Sequence, residues 1–362
     1  MRRTTRALNV GGVQVGGGAQ VSVQTMANAD PHDAAALSAQ IARCADAGAD
    51  IVRLTVPDLE AADVFAQVRR QSPVPLVADV HFDHRLALAS LAAGCDALRL
   101  NPGNIGARDR VGEVARAALE RRVPIRIGVN AGSLEKDVLA RHGAATAEAL
   151  VESALRHLAL LEAEGFCDVA ISVKASDVRR TIDACRMLAE RTDCPIHLGV
   201  TEAGTPIPGA VRSSVALGIL LSEGIGDTIR VSLAAAPELE VKVGLEILRS
   251  LGLRPPGPAV TCCPTCGRTK VDVPRVAAEV EAALEARMRS AAGPLPHVAV
   301  MGCAVNGPGE ARDADIALCG GDGEFLLFVG GRPVRKVSEA DAVTAVLSEM
   351  DADMGRSRRN LD

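Results

Sequence analysis

An eight-stranded α/β barrel of the TIM type, followed by a small α+β unit, is the architecture that three observations predict for this 362-residue chain. Eight short β-branched runs alternate with helical stretches over about 250 residues, where a doubly wound sheet rarely needs so many evenly spaced units. Run after run finishes in polar or charged residues although its body is apolar. A Pro-rich joint, Arg254-Pro255-Pro256-Gly257-Pro258, then ends the repeat and opens a segment of different pattern. The reading assigns the barrel to residues 1–254 and the small domain to 259–362.

The strand runs are Val21 to Met26, Ile51 to Val56, Pro75 to Val80, Ala97 to Asn101, Pro124 to Asn130, Val169 to Ser176, Pro195 to Thr201 and Asp227 to Leu233. Between them, Ala34 to Ala47, Leu59 to Gln71, Asp109 to Glu120, Ala147 to Glu164 and Ala236 to Ser250 carry apolar residues three and four apart, the spacing of half-buried helices. Beyond the joint, strands are expected at Val298 to Met301, Ile316 to Cys319 and Glu324 to Val329, with helices over Pro274 to Ala291 and near Glu339 to Asp351.

Composition narrows the function classes. Apolar residues make up 48% and charged residues 23%, and no apolar run approaches the roughly 18 residues of a membrane span. The basic start, Met1 to Arg6, lacks the apolar segment of a signal peptide, so a cytoplasmic location is expected. With five Phe, no Trp or Tyr and a net charge of −5, the chain offers neither stacking platforms nor a basic surface for nucleic acid. Ten cysteines without an export signal argue for thiols used as metal or redox groups rather than structural disulfides.

The strand ends carry Gln24, Arg53, Asp79 with His81, Arg99 with Asn101, Arg126 with Asn130, Lys174 with Ser176, Thr201 with Glu202, and Arg230 with Ser232. Several of these pairs are two apart and so share a strand face. In a TIM barrel the C-terminal strand ends form the catalytic mouth. Arg53, Arg99, Arg126, Arg230 and Lys174 set against Asp79 and Glu202 leave a surplus of three positive charges there. Partly buried, unpaired cations call for an anion, and guanidinium groups meet phosphate oxygens in bidentate fashion, so a diphosphate or doubly phosphorylated substrate is expected. His81 is a candidate for the mouth, whereas His197, inside a strand, reads as a core residue.

After the joint comes Cys262-Cys263-Pro264-Thr265-Cys266-Gly267, and later Gly302-Cys303-Ala304-Val305-Asn306-Gly307-Pro308-Gly309-Glu310. Three nearby thiolates, Cys263, Cys266 and Cys303, suit a zinc site or an iron–sulfur cluster. No fourth cysteine is spaced as a ligand, which leaves one position for a weaker oxygen donor, with Glu310 the candidate. Cys44, Cys95, Cys167, Cys185 and Cys194 read as small core hydrophobes.

Taken with Ala49-Asp50-Ile51-Val52-Arg53, Asp79-Val80-His81-Phe82-Asp83, Leu98-Arg99-Leu100-Asn101-Pro102-Gly103-Asn104, Asn130-Ala131-Gly132-Ser133-Leu134-Glu135-Lys136, Val173-Lys174-Ala175-Ser176, Thr201-Glu202-Ala203-Gly204 and Leu221-Ser222-Glu223-Gly224, the cysteine motifs resemble those of the GcpE (IspG) family. Its members are the 4-hydroxy-3-methylbut-2-enyl diphosphate synthases of the non-mevalonate isoprenoid pathway. The resemblance spans nearly the whole chain. It implies a TIM barrel plus a sulfite/nitrite reductase-like domain with a 4Fe-4S cluster on Cys263, Cys266, Cys303 and Glu310. It also implies reductive ring opening and dehydration of 2-C-methyl-D-erythritol 2,4-cyclodiphosphate, with two electrons from flavodoxin or ferredoxin. Under it, Arg53, Arg99, Arg126 and Lys174 hold the diphosphate, with Thr201 and Arg230 beside them in the binding set. Asn101, Asn130 and Ser232 orient the substrate, and Glu202 transfers a proton. A homodimer, with the cluster domain of one subunit over the barrel mouth of the other, is expected by the same resemblance. The chain departs from the usual family pattern at Ala27 to Ala29 and at Thr205 to Pro208. The rival reading is a non-redox phosphate-binding barrel with a structural zinc.

Overall fold

The structure, a computed structural model, describes residues 2–105, 108–257, 260–288, 295–305, 307–310 and 312–359. It divides into two compact units, Met1–Arg254 and Pro255–Asp362.

The first unit opens with a hairpin of β1 (Ala7–Val10) and β2 (Val13–Gly16). Strands and helices then alternate: β3 (Ser22–Met26), α1 (Ala34–Asp46), β4 (Ile51–Thr55), α2 (Leu59–Arg69), β5 (Leu76–Asp79), α3 (His84–Ala92), β6 (Ala97–Leu100), α4 (Arg108–Arg121) and β7 (Ile125–Asn130). There follow α5 (Lys136–His142), α6 (Ala147–Glu162), β8 (Val169–Lys174), α7 (Val178–Ala189), β9 (His197–Leu198), α8 (Pro206–Ser222), β10 (Thr228–Ile229) and α9 (Pro237–Ser250). The strands form one parallel sheet in the order β8-β7-β6-β5-β4-β3-β10-β9, and a bridge between Ile171 and Ile196 closes the ring.

Local chemistry starts the helices where the pattern breaks. Asp33, Asp58, Asp83 and Asp177 each accept a backbone N–H from the first turn of α1, α2, α3 and α7, and Pro206 and Pro237 occupy the first turn of α8 and α9. Gly48, at φ +98°, turns the chain after α1 in a conformation that other residues resist. The strands are buried on both faces: helices pack outside, while the hairpin's Leu8, Val10 and Val15 press on Ile51, Val77, Ala97 and Ala170 at the N-terminal end of the barrel. That plug leaves the C-terminal end as the open one.

The hairpin was not anticipated, because two four-residue strands are too short to show a period. The runs expected over Pro195 to Thr201 and Asp227 to Leu233 keep ladder geometry only over His197–Leu198 and Thr228–Ile229. Arg230 N still donates to Leu198 O at 2.9 Å, so the polar ends beyond these short strands stay in line with the barrel.

In the second unit, β11 (Val260–Cys262), α10 (Val273–Met288), β12 (Val298–Met301), α11 (Gly307–Glu310), β13 (Ile316–Gly320), β14 (Glu324–Val329), β15 (Arg332–Ser338) and α12 (Ala342–Arg359) follow in order. The sheet order is β11-β12-β13-β14-β15, parallel up to β13 and antiparallel beyond it. α10 and α12 cover one face through Val273, Val276, Val280, Leu284, Ala342, Val346 and Met350. Residues 289–291 of the anticipated helix lie outside the described residues.

Candidate active site

Parallel register sets the barrel interior. Asp79, Arg99 and Arg126 stand abreast on β5, β6 and β7, and Asn130 stands beside Lys174 on β7 and β8. Because side chains alternate across a strand, these residues share the inner face. Arg53, Asp79, His81, Arg99, Asn130, Ser172, Lys174, Val200, Thr201, Arg230 and Ser232 together line a cleft of about 150 Å3 at the open end. Seven residues anticipated for substrate therefore meet in one place: Arg53, Arg99, Asn130, Lys174, Thr201, Arg230 and Ser232. Asn101 is buried at the end of β6, with its Oδ1 unmatched by any donor among the described residues. Arg126 lies deeper, also buried, and lines an inner cavity with Gln24, His197 and Thr228. Glu202 is exposed on the loop after Thr201 and holds a left-handed φ of +52°, a conformation that costs a non-glycine residue roughly 1–2 kcal/mol.

The charges are not equivalent. Arg99 Nη1 donates to Asp79 Oδ1 at 3.1 Å and its Nη2 to the Gly128 carbonyl at 3.1 Å. Arg53 Nε lies 3.6 Å from Asp79 Oδ2. His81 Nε2 lies between Arg99 and Asp79, 2.9 Å from Arg99 Nη1 and 3.5 Å from Asp79 Oδ1. Burial by itself would raise the Asp79 carboxyl, yet Arg53, the hydrogen bond with His81 and Arg99 hold it well below the usual range. Arg230 is clamped by Glu240, with Nη2 to Oε1 at 3.0 Å.

Two cations have no such partner among the described residues. Both Nη atoms of Arg126 are buried without an acceptor among the described residues. Burial first, and then Arg53 and Arg99, drive its acidity up. A guanidinium does not surrender its proton in a protein, so this is a cost held in the fold. Lys174 is pushed well below the ordinary lysine value by burial and by Arg126, Arg53, Arg230 and Arg99. His197, fully buried beneath them, is kept neutral by burial, Arg126 and Lys174. Five cations against Asp79 and Glu240 inside the barrel leave the surplus of three with a different second anion, because Glu202 sits at the rim. Such a pocket binds an anion carrying more than one negative group.

Some contributors escaped the sequence reading. Glu240 lies on the core-facing side of α9, where an acid breaks the apolar stripe, and that break was its signal. Gly128 and Gly199 sit inside strand runs: a Cβ at 128 would lie 2.3 Å from Arg99 Nε, and one at 199 would lie 2.8 Å from Lys174 Nζ. A glycine inside a strand marks such close approach.

The second unit gathers thiols at one end of its sheet. Cys263 follows β11 and Cys303 follows β12, its parallel neighbour; Cys263 N donates to Val300 O at 3.2 Å, and Gly302 N donates to Cys263 Sγ at 3.2 Å. Cys266 is exposed, after Thr265 at φ +65°, and its thiol is lowered by a backbone hydrogen bond at Arg268 and by the Arg268 side chain. Cys319 is buried on β13, and burial together with Cys303 pushes it up to about 11. Among the described residues no three His, Cys, Asp or Glu side chains are gathered closely enough to hold a metal, and the Glu310 side chain lies outside them. The donor chemistry nevertheless fits a thiophilic group: accessible thiols, one of them acidified, with a backbone N–H already directed at sulfur.

Residues 5–245 match the GcpE TIM-barrel domain and residues 259–352 the GcpE protein C-terminal domain. The chain is 55% identical over 353 residues to the 4-hydroxy-3-methylbut-2-en-1-yl diphosphate synthase (flavodoxin) of Geobacter sulfurreducens, covering 97% of this chain and 98% of that one. The protein of the same description from Clostridium acetobutylicum is 50% identical over 350 residues, covering 97% and 99%. A dihydropteroate synthase structure from Xanthomonas albilineans overlays on 69% of this chain and 98% of its own, with a TM-score of 0.50 and 16% identity, a likeness of barrel fold.

Proposed function

This chain belongs to the GcpE family, and from that premise we propose how its residues carry out the family's reaction. The protein is an oxidoreductase, a 4-hydroxy-3-methylbut-2-enyl diphosphate synthase. It opens 2-C-methyl-D-erythritol 2,4-cyclodiphosphate reductively, with flavodoxin as reductant, and water leaves. The observation that carries the substrate assignment is the surplus of three positive charges in the barrel, where among the described residues neither Nη of Arg126 meets an acceptor and the charged groups pressing on Lys174 are all cations.

Arg53, Arg99, Arg126, Lys174 and Arg230 bind the diphosphate. Asn101, Asn130, Thr201 and Ser232 orient the carbon skeleton by hydrogen bonds. Glu202 donates the proton that lets the departing hydroxyl leave as water, and its strained backbone supports a functional placement. Cys263, Cys266, Cys303 and Glu310 would hold a 4Fe-4S cluster, which would supply the two electrons when bound. The exposed ridge of Ile207, Val211, Val215 and Ile219 on α8, with Arg212 the one charged residue on that helix, supports a homodimer by offering apolar surface for a second copy to cover. Among the described residues no helix is long and apolar enough to cross a membrane.

The decisive experiment is visible absorption with iron and sulfide analysis on protein purified without oxygen, followed by turnover of the cyclodiphosphate. A brown, reducible protein with about four irons per chain supports the assignment. Colourless protein with stoichiometric zinc overturns the redox mechanism.

A further inference from the structure

Glu240 is nearly inaccessible, and its two carboxylate oxygens each accept two hydrogen bonds. Oε2 takes Thr25 Oγ1 at 2.8 Å and Arg230 Nε at 3.1 Å. Oε1 takes Arg230 Nη2 at 3.0 Å and the backbone N–H of Leu233 at 3.0 Å. One carboxylate on α9 thus ties β3, the end of β10 and the segment that carries Ser232. The bidentate clamp uses Nε–H and one Nη2 hydrogen of the guanidinium. Both Nη1 hydrogens and the second Nη2 hydrogen remain, and Arg230 lines the cationic cleft.

We propose that Glu240 is a positioning residue that fixes the guanidinium plane of Arg230 so that its unclamped edge meets the substrate diphosphate. The proposal rests on the reading of the barrel mouth as a diphosphate site. It makes a prediction opposite in sign to simple electrostatics. Removing a carboxylate from a cationic pocket raises the surplus charge, and Coulomb attraction alone would then tighten anion binding. If Glu240 acts by orientation, its removal loosens binding instead, because a mobile guanidinium must be ordered each time the ligand enters.

The test is calorimetric titration of the full chain with inorganic diphosphate, alongside KM and kcat for turnover. Glu240→Gln is expected to weaken diphosphate binding roughly tenfold and to raise KM more than it lowers kcat. Glu240→Asp, which keeps the charge but draws it back by one methylene, is expected to recover part of the loss. Arg230→Gln and the double variant Arg230→Gln/Glu240→Gln are expected to bind equally, since Glu240 acts through Arg230. Unchanged or tighter binding by Glu240→Gln, or a further loss in the Arg230→Gln background, overturns the proposal. A wild-type chain that binds no diphosphate refutes the site reading itself, and the proposal falls with it.

Discussion

Lys174→Met separates stability from function in one substitution. The ammonium is buried at the inner end of the cleft, and four guanidiniums press on it. Its folded pKa lies well below the ordinary 10.5, so between those two values the unfolded chain holds a proton that the folded one gives up. Wild-type stability therefore rises with pH from the folded pKa up to 10.5, and the penalty is fully present below the folded pKa. Exchanging a buried, unfavourably placed charge for an apolar side chain of similar volume stabilises by about 1–4 kcal/mol. Methionine has nearly the same length and no charge, so we expect Lys174→Met to stabilise the anion-free protein by about 2 kcal/mol, with a melting temperature about 4–8 °C higher. Thermal melts from about pH 6 to 10 should show the advantage shrinking as pH rises. The same variant should lose most diphosphate affinity, and inorganic diphosphate should raise the melting temperature of wild type far more than its own. A variant that melts below wild type throughout would mean the ammonium is paired, refuting the argument from surplus charge.

Three further outcomes follow from the same geometry. Gly128→Ala places a methyl 2.3 Å from Arg99 Nε and should cut kcat/KM by roughly 10–100-fold with the chain still folded; unaltered kinetics would show that Arg99 has room to move. Glu202→Gln should lower kcat by about two orders of magnitude or more with little change in KM, and unchanged turnover would remove it as the proton donor. Cys266→Ser, at an exposed position, should abolish the visible absorption of anaerobically purified protein while leaving its circular dichroism intact; retained colour would exclude Cys266 as a ligand.

Much of the mouth was legible because two local periods coincide there. A charged and a polar residue two apart at the end of an apolar run, such as Arg99 with Asn101 or Arg230 with Ser232, have few other uses in a barrel strand. The two-residue ladders of β9 and β10 and the hairpin beneath the barrel were not legible, because their form depends on curvature and closure that no short window records. Glu202 and Glu240 show the limit within the site. One acid follows the barrel run that ends at Thr201 and is exposed at the rim, whereas the other sits in α9 and is buried against Arg230.

Composition, the strand ends and the spaced cysteines are properties of the chain by itself. They determined the barrel class, the cationic mouth and the thiol loops, because strand and helix periods and short motifs are local. Pairing is not local. Asp79 answers Arg53 and Arg99, Glu240 answers Arg230, and Arg126 and Lys174 are left over only once eight strands have closed in register. Tertiary structure alone decides which cations are neutralised and which wait for an anion, since a charge's energy depends on what burial and distance put beside it.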